Sequence, residues 1–206
     1  MMMENKKTKL NNHGASLIEF IIVVAIMAVV IGGVVTGISL FTNTYAKQAA
    51  RGIEDFISSA RTKATSITAD EWNVEISYNE TSKDFTYTLN KVAITTKAGK
   101  TERKSEIIEQ EIYGGELDLF FINGDDTNAA KVSLNSSSNT LRLIFSQAQG
   151  SITDVQFVLK DGSGISLKSA IGVKEIADVF YFTINRGSFT KKIAVYTLTG
   201  KYEVIE

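Results

Sequence analysis

The sequence predicts an α+β fold in which a long N-terminal helix packs on an antiparallel β-rich head. Three observations lead to this fold class. No charged residue occurs between Phe20 and Ala46, so one long segment is apolar on every side. Apolar residues between Ala46 and Ala64 then recur at steps of three and four, which is the stripe of an amphipathic helix. After Thr68 apolar and polar residues alternate, which is typical of half-buried strands.

The N-terminal 46 residues carry the strongest pattern. Residues 1–14 are basic, with Lys6, Lys7 and Lys9 against the single acid Glu4, and the apolar run Leu17 to Phe41 follows. About 20 apolar residues suffice to span a bilayer. The sequence therefore predicts a transmembrane segment at about 17–41. It also predicts a single-pass membrane protein with a cytoplasmic N-terminus and an extracytoplasmic head.

A secretory signal is a poor fit to this segment. Such a signal has an apolar region of about 7–15 residues with small residues after it, and here the small residues Gly14 and Ala15 come before a longer run. Glu19 is unusual within an apolar run, because a carboxylate at the bilayer centre costs about 2.5–3.5 kcal/mol. It is either an interfacial acid without a role or a functional residue.

Gly14, Ala15 and Glu19, set between a lysine-rich leader and a long apolar helix, resemble the class III signal of type IV prepilins and pseudopilins. The resemblance implies that a prepilin peptidase cuts between Gly14 and Ala15 and removes residues 1–14. It also implies N-methylation of Ala15, and a role for Glu19 in assembly, where its carboxylate pairs with the new amine of a neighbouring subunit. The chain departs from the family at Ala15, where phenylalanine is common, and at Thr36, where proline is common.

Two glycines in the apolar run are spaced for close helix packing. Gly33 and Gly37 form a G-x-x-x-G pattern, which lets membrane helices approach one another closely. The alternative is that glycine is simply frequent in membrane helices. The same helix should continue through the amphipathic stripe, so residues 15–66 are predicted as one helix and residues 67–206 as the head.

Two short motifs extend the resemblance. Ala60-Arg61-x-Lys63-Ala64 looks like the small-basic pattern of minor pseudopilins related to the H-type subunit of type II secretion. Thr199-Gly200-Lys201 resembles the closing hairpin of the same branch. The resemblance implies a pilin-like ladle, with a helical handle and a β-rich head.

The chain lacks the residues of many catalytic sites. It contains no cysteine, and its single histidine, His13, lies in the predicted leader. Thiol catalysis, Ser-His-Asp sites and His- or Cys-ligated metals are therefore excluded from the processed chain, and we predict no enzyme and no cofactor. The absence of cysteine points to a bacterium with a single membrane.

Two polar segments are candidate binding sites. The turn from Asn123 to Asn128 offers oxygens for Ca²⁺, but Leu134 stands where an EF-hand needs glutamate, so a solvated turn and no metal are predicted. A basic cluster could contact nucleic acid phosphates. Acidic neighbours at Glu102 and Glu106 favour an exposed loop instead. The cluster comprises Lys97, Lys100, Arg103 and Lys104.

The function that these patterns indicate is structural. We expect a minor pilin or pseudopilin subunit that is processed, inserted in the membrane and assembled into a type IV pilus or related pseudopilus. Its partners would be the prepilin peptidase, other pilin subunits, the assembly platform and the membrane. Two alternatives stay open. One is a pilin-type head that binds DNA or a surface, and the other is a single-pass anchored surface protein unrelated to pili.

Overall fold

A computed structural model describes residues 17–66, 71–97, 100–124, 131–147, 149–158, 164–167 and 176–205. Within the helix, side chains are described at residues 17–33 and 43–66. The chain divides into two compact units, Met1–Leu40 and Phe41–Glu206. The second unit contains the β-strands and the hydrophobic core.

One helix and eleven strands make up the described secondary structure. The helix α1 spans Leu17–Ser66. The strands are β1 Glu71–Asn79, β2 Asp84–Lys97, β3 Lys100–Tyr113, β4 Asp118–Asn123, β5 Lys131–Ser133, β6 Thr140–Phe145, β7 Ile152–Val158, β8 Gly164–Ser166, β9 Val179–Arg186, β10 Phe189–Tyr196 and β11 Lys201–Ile205.

The strands form two antiparallel sheets. The first sheet has six strands in the order β3-β2-β1-β6-β7-β8, and the second has five in the order β11-β10-β9-β4-β5. Neighbours in sequence are mostly neighbours in space, as hairpin connections favour. Two long-range pairings, β1 with β6 and β4 with β9, bring the separate hairpins into sheets.

Where apolar and polar residues alternate along a strand, the apolar residues lie on the buried face and the polar residues lie on the more exposed face. In β9, for example, Phe180, Phe182 and Ile184 are fully buried and the residues between them are half-buried. One hydrophobic cluster takes side chains from both sheets and from residues 46–64 of α1. The buried stripe of the helix contains several small residues, including Ala46, Ala49 and Ala60.

The predicted fold class, an α+β ladle with a long N-terminal helix packed on a head, is wrong. The fold is mostly β, with two antiparallel sheets. Of the described side chains of α1, those that join the core lie between Ala46 and Ala64, whereas residues 17–33 are exposed along their whole length. The physical reason is that the apolar residues of the strands outnumber those of the helix stripe, so the sheets supply most of the core.

The membrane predictions also need correction. Among the residues that the structure describes, no helix is both long enough and apolar enough to cross a bilayer. The transmembrane segment at about 17–41 and the single-pass membrane localisation are therefore contradicted.

Candidate assembly surface

The most unusual surface of the chain is the exposed apolar part of α1. Every side chain between residues 17 and 33 is exposed. The large apolar ones range from Val23 at 49% exposed to Leu17 at 81%. Soluble monomers rarely expose continuous apolar patches of more than a few hundred Å², and larger ones mark interaction sites. We define this part of the helix, residues 17–33, as the apolar helix surface.

Glu19 is the only acid within the apolar helix surface. It lies in the first turn of α1, where a negative charge interacts favourably with the helix dipole by about 0.3–1 kcal/mol. Its position at one end of the surface leaves the rest of the surface without charge. The predicted cleavage site at Gly14 and Ala15 lies outside the described residues.

The glycines of the apolar helix surface leave open space. A methyl group added at Gly32 or Gly33 would meet no heavy atom within 4 Å. The side-chain surroundings of Gly37, the second glycine of the predicted packing pattern, lie outside the description. Among the described residues, Gly32 and Gly33 therefore leave a notch on the helix that a second helix could enter.

The two motifs of the second resemblance do meet in the structure. The Arg61 guanidinium donates a hydrogen bond from Nε to the Thr199 carbonyl oxygen at 2.9 Å. This contact joins α1 to the turn between β10 and β11. Gly200 in that turn has a φ of 60°, and a Cβ there would approach the Gly150 carbonyl oxygen within 2.0 Å. Arg61 and Gly200 thus join the last turns of α1 to the hairpin.

Several contacts of α1 with the strands were missed by sequence reasoning. The Tyr113 ring lies over Gly52, so that a Cβ at Gly52 would be 2.3 Å from the Tyr113 Cζ. Lys191 donates a hydrogen bond to the Glu54 carboxylate at 2.7 Å. A lone glycine within a helical stripe was the one available signal, because glycine there is unfavourable unless something packs closely against it.

Two tyrosines in this region have phenol pKa values above the usual range. Burial raises the pKa of the Tyr87 phenol, and the nearby Tyr113 acts in the same direction. Burial also raises the pKa of the Tyr113 phenol, helped by its hydrogen bond to Glu111. The Tyr87 hydroxyl is buried without a hydrogen-bond partner. Both rings pack together, with centroids 4.6 Å apart, and serve the core.

The other predicted binding segments gain little support. Arg103 of the basic cluster is bound to Glu71, and the side chains of Lys97 and Lys100 lie outside the description. Of the turn from Asn123 to Asn128, residues 125–128 lie outside it too. In the described parts of the chain, no group of three or more acidic or histidine side chains could hold a metal ion.

Comparison with known proteins gives no further guidance. No protein family, no curated protein and no solved structure matches the chain.

Proposed function

We propose that this chain is a structural subunit of a pilin-type filament, assembled through its apolar helix surface. The single observation that carries the proposal is that every side chain from residue 17 to residue 33 is exposed in the folded chain. Burying a large apolar side chain contributes about 1.5–3 kcal/mol, so covering this surface by other copies would be strongly favourable.

The distribution of charge supports assembly by parallel copies of this helix. Glu19 is the only charged residue from 17 to 33, and it lies at the N-terminal end. Cleavage after Gly14 would create an amine at Ala15, close in sequence to Glu19. In a parallel bundle a carboxylate and an amine near one level can pair between copies, and such pairs are stronger away from water. Glu19 would thereby set the register.

Gly33 supports close approach of the helices. A methyl group at this position would meet no heavy atom of the described residues within 4 Å, which leaves room for a second helix. Close packing of helices through small residues uses such room. The partners of this proposal are a prepilin peptidase and further copies or related pilin subunits.

The first experiment tests processing and assembly together. The full chain is expressed with and without a prepilin peptidase, and its N-terminal peptide is identified by mass spectrometry. We expect peptidase-dependent cutting between Gly14 and Ala15 and methylation of Ala15, with filaments visible by electron microscopy. An uncut chain, or a cut after Phe41, would contradict the proposal.

The second experiment isolates the role of Glu19. We expect Glu19→Ala to retain cleavage but to reduce incorporation into filaments, because the pairing carboxylate is lost. The matched control is Glu4→Ala, which removes the other acid of the N-terminal region from the segment that is discarded. Equal incorporation of both variants would show that Glu19 does not set the register.

A further inference from the structure

A groove opens where α1 passes the edge strand β11 of the second sheet. Its volume is about 320 Å³, which is at the lower end of the range for small-molecule sites. All of its lining belongs to the unit that begins at Phe41. We call it the basic groove, and its lining residues are Lys47 and Arg51 from α1, Phe189 and Lys191 from β10, and Val204 and Ile205 from β11.

The helix side of the basic groove is positively charged. Lys47 and Arg51 are four residues apart, so they lie next to each other on one side of α1, and both are exposed. In the described part of the chain neither of them takes part in an ion pair within 4.0 Å. Two like charges at this spacing destabilise a helix slightly. An anion bound between them would remove that cost.

Two carboxylates near the basic groove reduce its charge without cancelling it. Glu54 accepts a hydrogen bond from Lys191 at 2.7 Å. Asp55 follows Arg51 at the spacing of a helical ion pair, but the two make no ion pair within 4.0 Å, and Asp55 lines a neighbouring cleft. Three positive side chains therefore stand against two negative ones. One positive charge is left over, which a singly charged anion would balance.

The strand side of the basic groove is apolar. Val204 is 37% exposed and Ile205 is 39% exposed, and Phe189 packs against the core from its half-buried position. A neutral apolar ligand would remove the cations from water without giving them a partner, which is costly. A bare inorganic anion would leave the apolar side in contact with water. The groove therefore suits a ligand with a charged head and an apolar body.

We propose that the basic groove binds a small aliphatic carboxylate, the anion of a short-chain fatty acid. The carboxylate head accepts charge-assisted hydrogen bonds from the Arg51 guanidinium and the Lys47 ammonium group. The hydrocarbon chain lies against Val204 and Ile205. No residue of the basic groove belongs to the apolar helix surface, so this binding stands or falls separately from filament assembly.

Titration with hexanoate tests the class of ligand. The full chain is kept in nonionic detergent, which covers the apolar helix surface, and heat of binding is measured by calorimetry. We expect saturable binding of one hexanoate per chain, with affinity rising about threefold for each methylene added from butanoate to hexanoate. Inorganic phosphate and hexylammonium should bind much more weakly. Absence of saturable binding, or equal binding of either of these two ions, would overturn the proposal.

A substitution of Arg51 tests the location of the carboxylate head. We expect Arg51→Gln to weaken hexanoate binding by about tenfold or more, because a charge-assisted hydrogen bond is lost. The matched control is Lys104→Gln, which removes an exposed cation from β3 on the other sheet and should leave the affinity unchanged. Equal affinity of the natural chain and Arg51→Gln would mean that hexanoate binds elsewhere, and the proposal would fail.

A substitution of Ile205 tests the apolar side of the groove. We expect Ile205→Ser to weaken hexanoate binding by about threefold or more, because part of the apolar contact is removed. Urea unfolding followed by Trp72 fluorescence confirms that each variant is folded. Unchanged hexanoate affinity in folded Ile205→Ser would contradict the proposed placement of the chain. A natural chain that is cleaved and assembles but binds no hexanoate would overturn this inference and leave the filament proposal intact.

Discussion

Two regions of the same helix differ in whether their apolar side chains are buried. Residues 17–33 are apolar on all sides and fully exposed, whereas from Ala46 to Ala64 a narrow apolar stripe is buried in the core. The more hydrophobic region is thus the less buried one. The comparison teaches that the strands cover only a stripe, and that a helix apolar all round needs partners from outside the chain.

The largest expected effect comes from removing a core side chain of the buried stripe. Phe56 is 1% exposed and packs edge-on against Tyr87, with ring centroids 6.0 Å apart. We expect Phe56→Ala to lower the free energy of unfolding by about 3–5 kcal/mol, because it leaves a cavity. Urea unfolding followed by the fluorescence of Trp72, the only tryptophan and a buried one, measures the loss.

The matched control is Phe20→Ala in the apolar helix surface, where Phe20 is 67% exposed. Its effect on the same transition should stay within about 0.5 kcal/mol. A loss similar to that of Phe56→Ala would mean that the two regions do not differ as described.

Glycine substitutions should give the next largest contrast. At Gly52 an added methyl group collides with the Tyr113 ring, which must then leave its place beside Tyr87. We expect Gly52→Ala to destabilise the fold by about 1–3 kcal/mol in the same urea titration. Gly33→Ala should not lower stability, since alanine is the better helix former by about 1 kcal/mol.

Filament assembly should be reduced more by Gly33→Ala than by Gly52→Ala. Gly33→Ala adds bulk to the notch of the apolar helix surface, so filament yield should fall although the fold is intact. If Gly33→Ala assembles normally while Gly52→Ala is stable, both glycines have been assigned the wrong role.

The smallest expected effect concerns the unpaired hydroxyl of Tyr87. Tyr87→Phe removes a buried group without a hydrogen-bond partner, and we expect a gain of about 1 kcal/mol at pH 7. Below pH 10 the phenol is neutral in both the folded and the unfolded chain. Above pH 10 the unfolded chain ionises first, because burial raises the pKa of Tyr87 in the folded state, so stability falls as pH rises.

The stability of Tyr87→Phe should therefore fall less steeply above pH 10 than that of the natural chain. Tyr113, whose pKa is also raised, should account for part of the fall that remains. Urea titrations at pH 7 and above pH 10 measure the difference. Tyr45→Phe, at a residue 47% exposed, controls for removing a hydroxyl from the surface and should give no gain at pH 7. An unchanged alkaline decline in Tyr87→Phe would show that another group causes it.

Local patterns of the sequence predicted much of the strand structure but not how strands combine. Alternation places Phe180, Phe182 and Ile184 on one face, and the structure buries all three. It does not say that β1 pairs with β6 or β4 with β9, because those pairings join segments more than 50 residues apart. The predicted fold class was therefore wrong in the share that it gave to the helix relative to the sheets, although the alternating segments do form strands.

The candidate site likewise has features that the sequence shows and features that only the fold shows. Glu19 and Gly33 are exposed, and both belong to an apolar run that the sequence shows by itself. The bond from Arg61 to the Thr199 carbonyl joins residues 138 positions apart, and no spacing rule predicts it. Only the sheet order shows that β3 is an edge among the described strands.

By itself, the sequence determined the local periods: an apolar helix, an amphipathic stripe and alternating strands. These follow from the dihedral preferences and side-chain directions of neighbouring residues. The tertiary structure alone decided which helix face is buried, which strands meet and which edge stays open. Those outcomes depend on contacts between distant residues, because burial of one segment depends on the segments that cover it.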